Sequence, residues 1–231
     1  HPGTEEELVA LVRAAALAGR AVKAVGAGHS FTDVACTDGV QVRLDRYRQV
    51  LAVDGRRVTV QAGITIAELN RELARRGLAL ANLGDIAYQS IAGAISTATH
   101  GTGARLGGIA TQVASFDLVT AEGSVLRCSP DVEPEVFACG RVGLGALGLL
   151  STVTLQCEPA FNLHAVETPM PVEEVLDQLD ELVDGNDHFE MFYVPHTGTA
   201  LTKRNNRTDE QAGGRPRWKE LLDKTVMENL A

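Results

Sequence analysis

The stretch Gly26-Ala27-Gly28-His29-Ser30 combines residue types that suit the binding of an anion. It directly follows the short apolar run AVKAV, and its glycines allow the backbone to approach a ligand closely. Successive backbone N–H groups in such a loop can form a concavity for a phosphate, and His29 stands beside that concavity. The loop therefore predicts a binding site for a phosphate-bearing ligand.

A second segment, residues 96–103, is rich in hydroxyl groups and small side chains. It includes Ser96, Thr97 and His100, and it lies within residues 78–108, which have no helical or strand periodicity. Irregular segments of this length are usually functional when they are as apolar as this one. Packing of the threonines within the loop is the structural alternative.

Gly143, Gly145 and Gly148 form a literal G-x-G-x-x-G pattern. In a nicotinamide-binding fold this pattern follows a strand and opens a helix. Here it follows a helix-like stretch and precedes the strand-like run LLSTVTL, so it predicts a structural turn whose backbone can still border a ligand. The loop at Gly26 is not a nicotinamide fingerprint either, because Phe31 stands where the last glycine should be.

Other chemistries find little support. The sequence has no G-x-S-x-G elbow for a serine hydrolase, since residues 28–32 lack the final glycine. The histidines lack the short paired spacing of zinc ligands, although a metal site using His29 and His100 is an alternative. We therefore expect no metal site, no disulfide framework, and four buried or inert thiols, since no CxxC pair occurs among Cys36, Cys128, Cys139 and Cys157.

The elements that must position these loops follow from periodicity. Helices are predicted over 5–19, 65–77 and 172–185, the second with a capping box formed by Thr65 and Glu68. Strands are predicted over 21–25, 40–47, 57–63, 113–129, 149–159 and 188–195. Strands grouped in hairpins and glycine turns that precede strands favour an α+β fold. The tail from residue 203 has no hydrophobic periodicity. The composition of the sequence changes near residue 160, where we expect a domain boundary.

Composition limits the possible partners. The 231 residues are 45% hydrophobic and 22% charged, which is typical of a globular chain. A formal net charge of −9 argues against nucleic acid and anionic membranes as partners, so backbone amides must hold any phosphate. No apolar run approaches the ~20 residues of a membrane span. We expect a cytoplasmic or membrane-peripheral protein.

The chain resembles the vanillyl-alcohol-oxidase type of FAD-binding proteins, and specifically the sugar-lactone branch of L-gulono-1,4-lactone and D-arabinono-1,4-lactone oxidases or dehydrogenases. The resemblance rests on VKAVGAGHSFTDVACTDGV, GLALANLGDIAYQSIAGAISTATHGTG, GRVGLGALGLLSTVTLQCEP and DGNDHFEMFYVPHT. These segments cover most of the chain up to about residue 203.

The resemblance implies an α+β fold in which a two-subdomain FAD-binding domain of the PCMH type is followed by an α+β cap domain. The expected boundaries are 1–158, lacking its N-terminal edge, and 159–231, the beginning of an incomplete cap. The expected cofactor is FAD, bonded covalently through His29. The implied cofactor-binding residues are Gly26, Ala27, Gly28, His29, Ser30, Asp85, Ser90, Gly93, Ser96, Thr97, His100, Gly148 and Leu150.

The implied reaction is the oxidation of a hydroxyl group of an aldonolactone, in which a base takes the O–H proton and hydride passes to the flavin. Oxygen, a quinone or a redox protein would accept the electrons. The resemblance places the catalytic side chains beyond residue 231, so no catalytic residue is expected in this chain. An alditol or other sugar oxidase on the same frame, and a non-catalytic flavin-binding module, are the alternatives.

Overall fold

The computed structural model describes residues 1–211 and 213, which form an α+β structure. The helices in this part of the chain are α1 (Glu5–Leu17), α2 (Ile66–Ala74), α3 (Ile91–Ser96), α4 (Pro134–Gly140), α5 (Val172–Asp177) and α6 (Leu179–Asp184). The strands are β1 (Val22–Val25), β2 (Val40–Arg43), β3 (Val50–Asp54), β4 (Arg57–Gln61), β5 (Leu78–Ala79), β6 (Val113–Val119), β7 (Val125–Cys128), β8 (Leu149–Gln156), β9 (Glu158–Pro159), β10 (Asn162–Pro171), β11 (His188–Tyr193) and β12 (Thr199–Thr208).

The core of the larger unit is an antiparallel sheet with the strand order β3-β4-β8-β6-β7. The predicted AEGS turn joins β6 to β7, where Thr120 N–H donates to the Ser124 carbonyl at 2.9 Å and Gly123 has φ 71°. The strand β8 is almost wholly buried because it lies between β4 and β6. Because β8 begins at Leu149, the glycine turn directly before it is held in place by the buried strand.

A smaller layer contains α1 and the parallel pair β1 and β2, with Val22 opposite Val40. Both strands are predicted by the sequence, but their pairing is not, because partner and direction depend on contacts distant in the chain. This layer packs on the same hydrophobic core as the larger sheet through Val42 of β2 and through Leu8 and Val12 of α1. The strand β1 ends at Val25, so the loop that starts at Gly26 emerges from a fixed strand end.

The capping signals in the sequence are confirmed. Thr65 Oγ1 accepts a hydrogen bond from Glu68 N–H at 3.2 Å, and Glu68 Oε2 accepts one from Thr65 N–H at 3.1 Å. Thr4 caps α1 in the same way by accepting from Glu7 N–H at 3.2 Å. The Thr65–Glu68 bonds are reciprocal, whereas the Glu7 carboxylate accepts from Gly3 N–H. At both helices, the threonine satisfies an N–H group that has no partner within the helix.

Within residues 78–108, for which no periodicity is predicted, the structure contains the short helix α3. Ser90 caps it by accepting from Gly93 N–H at 3.2 Å, and Ile91 and Ile95 are fully buried. Six residues are too few to establish a helical period in a sequence of small side chains. The buried isoleucines anchor this otherwise irregular segment to the core.

The second unit is a three-stranded antiparallel sheet with the order β10-β12-β11. Two expectations are wrong here: β12 is a regular central strand although residues from 203 onward lack a pattern, and the helix expected over 172–185 is divided at Gln178 into α5 and α6. The backbone of β12 is paired on both sides, so the strand needs little apolar alternation. The expected domain boundary at 158/159 falls on β9, which pairs with β5. The part of the expected cap at residues 212 and 214–231 lies outside the described residues.

Replacing Ile95 with alanine should lower the free energy of unfolding by about 2–5 kcal/mol, because the side chain is fully buried in the core that holds α3. Urea denaturation followed by circular dichroism measures this change. Leu17→Ala is the control, since Leu17 is 91% exposed and its removal should cost less than about 0.5 kcal/mol. Equal effects of the two substitutions would show that α3 is not anchored as described.

Candidate functional site

The loop 26–30 is exposed and offers free backbone donors. Within residues 1–211 no hydrogen bond engages the N–H groups of residues 27–31, and Gly28 has φ 76°, a conformation that favours glycine. The His29 side chain is exposed at this loop. Phe31, which follows, is fully exposed. A run of unpaired N–H groups beside a strand end matches the anion concavity expected from the sequence.

The loop lies against the start of α3. A Cβ atom at Gly26 would be 2.5 Å from Ser90 Oγ, so only glycine permits this approach while Ser90 caps the helix. Gly93 also borders the Ser90 hydroxyl, with a would-be Cβ at 3.2 Å. Because neither Gly26 nor Gly93 has a side chain, the loop 26–30 can approach the start of α3 closely.

A groove runs between β1, α3 and the glycine turn before β8. Within the described residues its lining includes most of the predicted cofactor-binding positions, namely Gly26, Ser30, Ser90, Gly93, Ser96, Thr97, Gly148 and Leu150. Lys23, in β1, also lines it and was not singled out from the sequence. The position of this one charged residue within the apolar run AVKAV was the feature of the sequence that could have identified it.

The glycine turn before β8 has the context that the sequence predicts, after helix α4 and before a strand. Gly148 has φ 146°, and a Cβ atom there would lie 2.4 Å from the Val119 carbonyl oxygen. Gly145 has φ 72° with open space around it. The turn therefore packs closely on β6 on one side and leaves its backbone facing the groove on the other.

Five predicted residues do not line the groove. Asp85 and His100 line a cleft between the segment 79–102 and the β10-β12-β11 sheet, whereas Gly28 and His29 line neither the groove nor the cleft. His100 Nδ1 lies 2.9 Å from the Gly101 carbonyl oxygen. Ala27 borders a separate pocket with Gly63 and Thr65. The segment from Asp85 to His100 thus borders the groove with its middle and the cleft with its ends.

The sheet contributes cleft residues that the sequence analysis missed. His188 Nδ1 lies 3.1 Å from the Thr102 carbonyl oxygen, and Lys203 Nζ lies 2.9 Å from Glu190 Oε1. The hydrogen bond to Glu190 raises the pKa of Lys203, with further contributions from the carboxylates of Asp85 and Glu167. The alternation of His188 and Glu190 along one strand was the signal available in the sequence.

Together, groove, loop and cleft fit an extended ligand that carries a phosphate. The loop donors suit the phosphate, and the segment 85–100 beside the loop borders the groove with its middle and the cleft with both of its ends. Gln89 Oε1, next to Ser90, is buried without a hydrogen-bond donor among the described residues. These residues fit a flavin dinucleotide.

The thiols and acidic groups show no arrangement for metal. In the part of the chain that the structure describes, no three His, Cys, Asp or Glu side chains are placed to hold an ion. Burial raises the pKa of Cys157 to about 11, and that of Cys128 is also raised, so both are poor nucleophiles. Cys128 and Cys157 are buried, whereas Cys36 and Cys139 are exposed, so burial accounts for two of the four thiols that are expected to be buried or inert.

Residues 1–129 match the family model described as FAD binding domain. The chain belongs to this FAD-binding domain family. Residues 153–231 of this FAD-binding chain also match the model for D-arabinono-1,4-lactone oxidase. The second match confirms the resemblance to the sugar-lactone branch.

Curated relatives of this FAD-binding chain are aldonolactone enzymes. L-gulono-1,4-lactone dehydrogenase of Mycobacterium tuberculosis is 46% identical over 96% of this chain and 52% of its own length. L-gulonolactone oxidase of Bos taurus is 39% identical over 94% of this chain and 50% of its own length. D-arabinono-1,4-lactone oxidase of Eremothecium gossypii is 37% identical over 100% of this chain and 45% of its own length. The chain spans about half the length of these relatives.

Solved structures with the same fold include cholesterol oxidase from Brevibacterium sterolicum, with a TM-score of 0.81 at 20% identity over 93% of this chain and 45% of that one. This similarity confirms the α+β fold expected for an FAD-binding domain with a second unit. Within the described residues, no helix has the length and apolar character needed to cross a bilayer.

Gly26→Ala should weaken FAD binding by the apoprotein on the order of tenfold, because the new Cβ displaces the Ser90 hydroxyl and its cap at the edge of the groove. Quenching of flavin fluorescence during titration measures the affinity. Gly3→Ala is the control, since a Cβ there meets Glu7 at an ordinary 3.7 Å. Wild-type affinity in Gly26→Ala would contradict the proposed approach of loop and helix.

Proposed function

We propose that this chain works in an FAD-dependent oxidoreductase that oxidises a hydroxyl group of an aldonolactone, of the L-gulono-1,4-lactone or D-arabinono-1,4-lactone type. The observation that carries this proposal is the loop 26–30, in which the N–H groups of residues 27–30 have no hydrogen-bond partner among the described residues, Gly26 and Ser30 line the groove, and the exposed His29 lies between them. The names of the curated relatives support the substrate class.

In this proposal the cofactor extends along the groove and reaches the cleft. The amides of residues 26–30 hold the pyrophosphate, and Gly148 and Leu150 border the adenosine end of the groove. Ser90, Gly93, Ser96 and Thr97 line its path between these ends. Asp85 and His100 line the cleft, where the flavin ring would lie.

FAD, when bound, supplies the hydride acceptor for oxidation of an alcohol carbon. The residues of this chain bind and orient the cofactor and form part of the cavity in which the lactone lies. The base that takes the hydroxyl proton is expected outside the described residues. Oxygen, a quinone or a redox protein is the proposed electron acceptor.

His29 is the proposed point of covalent attachment to the flavin. Its side chain is exposed at a glycine loop, so a bond to the cofactor requires no rearrangement of the core. A tether removes the entropic cost of holding the cofactor at each encounter. The phosphate-binding amides on either side of His29 would direct the flavin toward it.

His29→Ala should leave FAD bound only noncovalently, so that denaturation releases it. Intact mass and the absorbance of the washed, denatured full-length protein measure this. His164→Ala is the matched control, because His164 is exposed on β10 outside groove and cleft, and it should keep the covalent flavin. Covalent flavin in His29→Ala would refute the attachment site.

The substrate class is tested by mixing the oxidised full-length holoprotein with ligand under anaerobic conditions and following loss of the oxidised flavin absorbance. L-gulono-1,4-lactone or D-arabinono-1,4-lactone should bleach the flavin faster than an alditol such as xylitol. Faster bleaching by the alditol would indicate an alditol oxidase. No bleaching by any of them would indicate a flavin-binding module.

A further inference from the structure

One face of the three-stranded sheet is covered and the other faces the cleft. Strand alternation places Val175 of α5 and Leu182 of α6 against Ala200, while Lys203 and Asn205 point to the opposite face. On the neighbouring β11, His188 and Glu190 share that opposite face. We call His188, Glu190, Lys203 and Asn205 the cleft face; all four line the cleft.

The cleft face contains a partly buried ion pair. Glu190 and Lys203 are paired residues of adjacent strands, and their side chains are only 16% and 30% exposed. As a pair of opposite charges on adjacent strands it can stabilise the sheet, and its place in the cleft also puts it within reach of a ligand. Two of the three ammonium hydrogens of Lys203 and the second carboxylate oxygen of Glu190 are available for hydroxyl groups of a ligand.

The part of the cleft that the structure describes carries a negative formal charge. Among the described residues that line it, the ionised side chains are Asp85, Glu190 and Lys203, which set two carboxylates against one ammonium. Lys203 is already paired to Glu190. Sites that bind carboxylates normally present an arginine or an unpaired cation instead.

An aldonolactone and the aldonate formed by opening its ring carry the same carbon chain but differ in charge. The lactone is neutral, whereas the aldonate is an anion at neutral pH. A cleft with hydroxyl-binding groups and net negative charge separates the two, since like charges brought together at low dielectric are disfavoured.

Resting on the proposed function, we propose that Glu190 and Lys203, opposite Asp85, select the uncharged closed lactone and reject the ring-opened aldonate anion. Glu190 accepts and Lys203 donates hydrogen bonds to the ring hydroxyl groups. Because its charge is neutralised by Glu190, Lys203 does not attract a carboxylate. Glu190 and Lys203 are specificity-determining residues rather than proton-transfer groups.

The test compares binding of L-gulono-1,4-lactone and L-gulonate by the full-length holoprotein, with the flavin kept reduced and anaerobic so that the lactone is not consumed. Isothermal titration calorimetry at low ionic strength gives both dissociation constants. The wild-type protein should bind the lactone at least about tenfold more tightly than the aldonate.

Glu190→Gln keeps the side-chain shape and frees the charge of Lys203, so aldonate affinity should rise on the order of tenfold relative to lactone affinity. Lys203→Met removes the ammonium, so the same ratio should move in the opposite direction. A purely structural role would weaken both ligands together in both variants. Opposite shifts therefore distinguish charge selection from misfolding.

Glu72→Gln is the matched control. Glu72 lies on α2, outside the cleft, and its carboxylate pairs with Arg76, so this substitution also removes a carboxylate from an ion pair. Its ligand ratio should equal that of the wild type. If the wild type binds lactone but neither cleft variant changes the ratio, the selection is overturned and the proposed function stands. If the FAD-loaded wild-type protein binds no lactone, this result contradicts the substrate class given in the proposed function.

Discussion

The loop 26–30 reaches the start of α3 because residue 26 has no side chain and Ser90 turns its hydroxyl inward to cap the helix. The loop is fixed on its other side by β1, which pairs with β2, and α3 is fixed by two isoleucines in the core. The exposed loop that we propose to hold a phosphate is thus fixed between rigid elements. The groove and the cleft extend from the segment that begins α3.

The cleft depends on the second unit. The β10-β12-β11 sheet packs its apolar face on α5 and α6 and turns its polar face to the segment 79–102. Contacts across the boundary, such as Arg105 to the Asp184 carbonyl at 3.1 Å and His188 to Thr102, hold this face in place. The Arg207 side chain, paired with Glu158 at 2.7 Å and lying over the ring of Phe161, secures the same junction.

The distribution of charge along the site follows its proposed chemistry. The groove beside the loop has backbone donors and Lys23 but no carboxylate among its described lining residues, which suits a phosphate. The cleft has two carboxylates and one paired ammonium, which suits a neutral, hydroxyl-rich ligand. In this proposal, one chain holds a site for an anion and, next to it, a cavity that disfavours an anion.

Local signals in the sequence were sufficient for the capped helices α1 and α2 and for the hairpin β6–β7. Caps and tight turns are determined by residues within a few positions of one another. The sequence alone therefore predicts the cap at Thr65 and Glu68 and the turn at Gly123. The helix α3 escaped detection because its small residues carry no amphipathic period. The strand β12 did too, because its polar cleft face replaces the usual apolar alternation.

The amino-acid sequence by itself determined the residue types of the site: a glycine loop with His29, a hydroxyl-rich segment, a glycine turn before a strand, and the family they resemble. The tertiary structure alone decided that most of the predicted residues line one groove, that Asp85 and His100 lie in a separate cleft, and that Glu190 and Lys203 face it. The reason is physical. Backbone conformation is set by neighbours in the chain, whereas the pairing of β11 with β12 and the closing of a cavity depend on burial between distant segments.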